Sequence, residues 1–154
     1  MKKIIFIGTI ILLAFACNSK DKNASANDKQ TKDSLSNVQK ANAINDSANY
    51  TTIQWLDSTF HNMGKMKEGE VLEVAFKFKN TGNKPLVISS VTASCGCTVP
   101  EQPEKPFAPG EEGTIRAKFD SHGKGGTQQK TVYVTANTKP ATSYQLNFSV
   151  EVDK

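Results

Sequence analysis

The most reactive side chains in this sequence are a closely spaced pair of cysteines in the motif Cys95-Gly96-Cys97. In an extended strand, residues two apart lie about 6.6 Å apart at Cα and present their side chains on one face. That separation is at the outer limit for a disulfide, so closing the bond requires a kink, which Gly96 is expected to permit. The spacing therefore favours a local disulfide that clamps the end of a strand.

Two other kinds of chemistry remain open for the same pair. Two thiolates on one face suit a soft ion such as Cu(I) or zinc. A complete zinc site needs four ligands, and only His61 and His122, both expected in loops, could add nitrogen. Redox or intermolecular thiol exchange is the third option, although its usual motif is Cys-x-x-Cys at a helix start. We predict no resident metal and no other cofactor.

The sequence does not match the common catalytic templates. Ser, His and Asp are present, but no nucleophile-elbow motif is. The Gly-rich stretch at 123–127 lacks the spacing of a phosphate-binding loop. We therefore predict that the protein is not an enzyme.

The third cysteine, Cys17, follows two lysines and an apolar run over residues 4–16. A basic start and a short apolar run are typical of a secretory signal peptide, and this run is too short to cross ~30 Å of hydrocarbon. A cysteine at the cleavage point is how bacterial lipoproteins are built. We predict that residues 1–16 are removed and that Cys17 carries a diacylglyceryl group and an acyl chain such as palmitate, which together anchor stably.

The predicted location is the cell envelope, with the outer membrane as the expected site of the lipid anchor. The alternative is ordinary cleavage after Ala14-Phe15-Ala16, which would release a soluble periplasmic or secreted protein. The expected partners are the membrane, through the lipid, and an unidentified protein or envelope component. Nucleic acid is not expected, because the net charge of +4 includes two signal-peptide lysines and no basic stripe with aromatics is present.

Residues 17–49 form a polar segment whose only large apolar residues are Leu35, Val38 and Ile44. Such a segment cannot bury enough apolar surface to offset its conformational entropy. We predict a flexible linker that averages ~30 Å from end to end and holds a folded domain away from the membrane.

From residue 50 to residue 154 the apolar side chains recur at every second position, as in Leu72, Val74, Phe76 and Phe78. This alternation is typical of strands with one buried and one solvated face. Similar runs cover 115–119, 132–136 and 144–152, and two less regular strands are expected at 52–55 and 86–91. Six or seven short strands without an amphipathic helix predict an all-β domain, a β-sandwich.

The motifs of this domain resemble the bacterial domain-of-unknown-function family 1573, which is common in secreted lipoproteins. The resemblance rests on Asn80-Thr81-Gly82, on the stretch from Val91 through Cys95-Gly96-Cys97, and on Pro109-Gly110-Glu111. It implies an immunoglobulin-like sandwich of about seven strands, and it implies no reaction. The reading that combines these features is a lipid-anchored envelope protein with a non-catalytic interaction or structural module. The alternative is a metal- or thiol-handling protein that uses Cys95 and Cys97.

Overall fold

The computed structural model describes residues 46–154, and every structural statement below concerns this part of the chain. It contains one short 3-10 turn at Ser47–Asn49 and eight β-strands. The strands are β1 Ile53–Trp55, β2 Phe60–Lys67, β3 Val71–Asn80, β4 Ile88–Ala93, β5 Thr98–Glu101, β6 Glu112–Asp120, β7 Gly126–Ala136 and β8 Ser143–Asp153.

The strands form two four-stranded sheets that pack face to face. Sheet I has the order β1-β3-β6-β5, and sheet II has the order β2-β8-β7-β4. Neighbouring strands are antiparallel except β2, which runs parallel to β8. The prediction of an immunoglobulin-like β-sandwich is confirmed, with eight described strands instead of about seven.

The core lies between the sheets and is built by the inward positions of the alternating strands. Four phenylalanines are at most 1% exposed, and Phe119 meets Phe148 edge to face across the core at a centroid distance of 6.0 Å. Edge-to-face pairs add about 0.5–1.5 kcal/mol to the burial term. The same alternation that buries these rings points the intervening side chains to the two outer faces.

Strands β2 and β5 were not predicted, and the expectation that His61 lies in a loop is wrong. His61 lies on β2 opposite Phe148 of β8, and its ring stacks on Phe76 at a centroid distance of 4.6 Å. The period of two is hidden because the register shifts between Asn62 and Lys65, where Gly64 has φ +72°. An apolar residue, Phe60, also stands at an outward position, 51% exposed.

The long strands give the sandwich two distinct ends. At the linker end, where the described chain begins, Thr51 binds the backbone of Asn137 and Ile53 pairs with Asn80. At the opposite end, Val71 pairs with Asp120, and the Asp120 N–H donates to the carbonyl of Cys97. We call this second end the disulfide end. The nine residue steps of β3 separate the two ends by about 30 Å.

Candidate functional site

Cys95 and Cys97 are joined by a disulfide in the turn that carries the chain from β4 in sheet II to β5 in sheet I. Their Cα atoms are 5.3 Å apart, closer than in an extended strand, because residues 94–97 form a turn. The turn is attached to both sheets: Ser94 N–H donates to Thr131 on β7, and Asp120 N–H donates to Cys97. The disulfide therefore closes a crossover between the two layers.

The expected role of Gly96 in permitting this turn is wrong. Its φ is not among the positive values found at Gly64, Gly69, Gly110, Gly123 and Gly126, and a Cβ at residue 96 would meet nothing within 4 Å. Other residues can adopt this backbone conformation without strain. The conformation of the turn follows from its backbone bonds to the two sheets.

An open groove of about 460 Å³ lies beside the disulfide. It brings Cys97 together with His122, and its wall includes the side chains of two exposed valines, Val71 and Val99, each 63% exposed. Its remaining lining residues are Gly96, Lys118, Asp120 and Lys124. The groove thus combines an apolar wall, a disulfide and both signs of charge at one end of the molecule.

The two histidines that could have joined a metal site lie in different surroundings. His122 is exposed at the disulfide end, where its backbone N–H donates to Asp120 Oδ1 at 2.9 Å. His61 is half-buried and packs on Phe76 between the sheets. Within residues 46–154 no group of three or more His, Cys, Asp or Glu side chains could hold a metal ion. With both sulfurs in the disulfide, Cys95 and Cys97 offer no thiolate to such an ion.

The edges of the sheets carry local protection against added strands. Along β2, the backbone N–H groups of Phe60, Gly64 and Lys67 each donate to a nearby side chain, at 3.1, 3.0 and 2.9 Å. On β5, Pro100 has no N–H to offer, and Gln102 donates its amide to the Ser89 carbonyl of the neighbouring layer. Side chains and prolines of this kind disfavour edge-to-edge pairing at β2 and at β5.

The outward face of sheet I is dominated by charge. Its charged side chains pair across strands: Arg116 with Glu73 at 3.8 Å, Lys118 with Glu101 at 3.3 Å, and Lys79 with Glu112 at 3.3 Å. Such exposed pairs contribute little to stability and keep a sheet face solvated. We call this surface the charged face; its charged residues are Glu73, Lys77, Lys79, Glu101, Glu112, Arg116, Lys118 and Asp120.

The outward face of sheet II has a different composition. Four consecutive cross-strand rows carry amides, hydroxyls and two aromatic rings and no charged side chain. Charges occur on this face only towards the disulfide end, at Lys65, Lys67, Glu151 and Asp153. We call the uncharged surface the neutral face; it consists of Phe60, Asn62, Ser90, Thr92, Gln129, Thr131, Tyr133, Thr135, Ser143, Gln145, Asn147 and Ser149.

The neutral face was missed in the sequence, although part of its signal is visible there. In β8, Ser143, Gln145, Asn147 and Ser149 alternate with buried residues, and no charge occurs before Glu151. Phe60 could not be recognised as an outward-facing residue, because the strand that carries it was not predicted. Strand order, which places Phe60 and Tyr133 on one face, is a tertiary property.

The predicted lipidation site, Cys17, the signal peptide at 1–16 and most of the predicted linker at 17–49 lie outside the described residues. The last four linker residues are described. Asp46 accepts a hydrogen bond from Ala48 N–H, and the carbonyl of Asn49 accepts one from the buried amide of Asn137 at 2.7 Å. Among residues 46–154, no helix has the length and apolar character needed to cross a membrane.

The family model described as "Protein of unknown function (DUF1573)" matches residues 53–152. None of the curated proteins compared with the chain matches it. Solved structures do match, and the crystal structure of a protein of unknown function from Porphyromonas gingivalis W83 is among them. The two share 22% sequence identity with a TM-score of 0.57, over 69% of this chain and 49% of that chain.

Two further structures show how widely the fold is shared. The ASH / PapD-like domain 7 of human CEP192 has a TM-score of 0.51 and 10% identity, over 68% of this chain and 86% of that chain. The secreted serine protease VesC from Vibrio cholerae has a TM-score of 0.50 and 8% identity, over 66% and 23%. The chain thus spans about half of the Porphyromonas protein and about a quarter of VesC. At these identities the likeness shows the fold alone.

Proposed function

The chain belongs to the DUF1573 family of proteins of unknown function, as its Asn-Thr-Gly and Cys-Gly-Cys motifs predicted. We propose a function that combines the lipoprotein signal in its N-terminal sequence with the geometry of its domain. The protein is a lipid-anchored component of the cell envelope, and its immunoglobulin-like sandwich is a non-catalytic interaction module. The anchor is the lipid on Cys17, and the expected membrane is the outer membrane.

The observation that carries the proposal is the placement of the two ends. The chain reaches the sandwich at Thr51, beside Asn80 and Asn137. The groove beside Cys97 lies at the other end, about 30 Å away along β3. A tether attached at one end of a rigid body leaves the other end and both faces free to meet a partner.

The non-catalytic part of the proposal is supported by how the charged residues are used. Arg116, Lys118 and Lys79 each pair with a carboxylate of a neighbouring strand on an open sheet surface. This arrangement solvates the sheet and engages each of these three cations with a carboxylate, whereas acid–base catalysis requires a group positioned to exchange a proton with a substrate. A binding surface needs only shape and a few well-placed polar groups.

Metabolic labelling of growing cells with a labelled fatty acid tests the anchor. Wild-type protein is expected to take up label and to fractionate with membranes, whereas Cys17→Ala is expected to do neither. A Cys95→Ser, Cys97→Ser double variant is the matched control, since it also removes cysteines but is expected to label as wild type. Equal labelling of wild type and Cys17→Ala, or a mature wild-type mass without lipid, would overturn the proposal.

A second candidate function, thiol handling, is favoured by one observation. The disulfide borders an open groove shared with His122 and Lys124, so a thiolate could reach it from solvent. Thiol counting after treatment with a small-molecule dithiol distinguishes the candidates. Rapid, reversible reduction under native conditions favours thiol handling, whereas reduction only after unfolding favours a structural clamp.

A further inference from the structure

We propose that the neutral face of sheet II binds an uncharged polysaccharide, with Phe60 and Tyr133 stacking on its sugar rings. This inference rests on the proposed function, because it names the class of partner for the interaction module. It concerns the face of the sandwich and does not involve the disulfide groove.

Two aromatic side chains stand on the outward face of sheet II. Phe60 is 51% exposed and Tyr133 is 39% exposed, although the core between the sheets is fully packed with apolar side chains. Aromatic rings on a rigid surface can contribute a large apolar contact at little conformational cost, as they do in antibody binding sites. The C–H face of a pyranose ring is the kind of flat, weakly polar surface that stacks on them.

The spacing of the rings calls for an oligosaccharide. Phe60 lies opposite Asn147 on β8, which lies opposite Thr131 on β7, and Tyr133 is two residues further along β7. Two strand spacings and two residue steps put the Cα atoms of Phe60 and Tyr133 about 12 Å apart. One sugar ring is close in size to one aromatic ring and cannot cover both, so the ligand extends over several units.

The polar groups between the rings are suited to hydroxyl groups. Thr131 Oγ1 donates to Asn147 Oδ1 at 2.8 Å, which fixes the orientation of that amide. The Nδ2 donor of Asn147 has no hydrogen-bond partner within the described part of the chain and is free to donate outwards. Gln129 and Thr92 in neighbouring rows add amide and hydroxyl groups that both donate and accept.

The absence of charge on these rows selects against charged ligands. Covering a charged side chain with a neutral ligand costs desolvation energy that nothing returns, whereas covering amides and hydroxyls exchanges one set of hydrogen bonds for another. An anionic glycan would need cations, and the cations on the outward face of this sheet, Lys65 and Lys67, lie towards the disulfide end opposite Glu151 and Asp153. The charged face of sheet I, by contrast, would have to give up the hydration of its charged side chains to bind a neutral ligand.

The test uses the full chain, purified in a detergent that has no sugar head group. An array of neutral oligosaccharides identifies a bound glycan, and isothermal titration then measures its affinity for wild type and variants. Phe60→Ala and Tyr133→Ala are each expected to weaken binding about tenfold, which corresponds to the loss of one aromatic contact. The matched control, Leu56→Ala, removes a comparably exposed apolar side chain, 42% exposed, beside Lys77 of sheet I, and is expected to bind as wild type. Added salt is expected to leave the affinity unchanged, because no ion pair forms.

Several results would overturn the inference. These are no binding to any neutral glycan of the array, salt-sensitive binding to anionic glycans only, or affinity that both aromatic variants retain. A dimer that forms without glycan and dissociates in Phe60→Ala would show that a second copy covers the face instead. The bound oligosaccharide is also recovered and sized: shortened chains would overturn the non-catalytic part of the proposed function and leave the binding surface standing. Failure of Cys17 labelling would overturn the anchor alone.

Discussion

Thr51 donates its side-chain hydroxyl to the Oδ1 of Asn80 at 2.8 Å, in a contact that joins the start of the domain to the end of β3. Asn80 is fully buried and its amide is saturated. Oδ1 also accepts from Gly82 N–H, and Nδ2 donates to the carbonyls of Lys84 and Phe107. A Cβ at residue 82 would collide with the Thr51 side chain. The Asn-Thr-Gly motif therefore forms a buried hydrogen-bond network that closes the linker end of the sandwich.

Replacing Asn80 with Ala is expected to lower the free energy of unfolding by about 2–4 kcal/mol, because several buried backbone groups lose their partners. Urea denaturation followed by tryptophan fluorescence measures the change. Asn83→Ala, in the same loop but exposed, is the matched control and is expected to stay within about 0.5 kcal/mol of wild type. Similar decreases in the free energy of unfolding of the two variants would contradict this role of Asn80.

Replacement by alanine is expected to lower the stability of the domain at Gly113 but not at Gly96. A Cβ at Gly113 would overlap the rings of Phe78 and Phe107, so Gly113→Ala should destabilise the domain by about 1–3 kcal/mol. A Cβ at Gly96 meets nothing, so Gly96→Ala should change stability by less than about 0.5 kcal/mol. Denaturation curves and a free-thiol assay check both variants. Loss of the disulfide in Gly96→Ala would show that the turn needs glycine at residue 96, as the sequence analysis expected.

Replacing both Cys95 and Cys97 with Ser is expected to lower stability by only about 1–2 kcal/mol, since the loop closed by the disulfide is so short. The wild-type protein denatured in a reducing agent serves as the control and should approach the double variant. A loss of more than about 4 kcal/mol would mean that the crossover turn depends on the bond far more than chain entropy allows.

Shortening the chain tests where the domain begins. A chain that starts at Asp46 is expected to melt at the same temperature as one that starts at Asn18, because the predicted linker has too few apolar residues to bury much surface. A chain that starts at Ile53 lacks Thr51, whose backbone and side chain bind Asn137, Lys139 and Asn80. The free energy of unfolding of this shortest chain should be lower by about 2–4 kcal/mol. Calorimetry of the three chains checks this, and equal melting temperatures for all three would contradict it.

The sequence predicts the sandwich because alternation is a local property. In β8 each inward side chain is apolar and each outward one is polar, and β3 departs from this pattern only at Val71, Ala75 and Asn80. The buried face can therefore be assigned without knowing the neighbouring strands. Strand β2 does not show this regular alternation. Its inward positions hold His61, Met63 and Met66, and the register shift moves the last of them out of step.

What the sequence by itself determined is the buried face of the regularly alternating strands, the turns between them, the family to which the chain belongs and the closeness of Cys95 and Cys97. The tertiary structure decided what those residues meet. It paired β2 with β8 in parallel, placed Cys97 and His122 at one groove, and gathered the uncharged side chains of four strands on one face. The physical reason is that alternation assigns each strand a face but not a neighbour, since strand order is set by contacts between residues far apart in the chain.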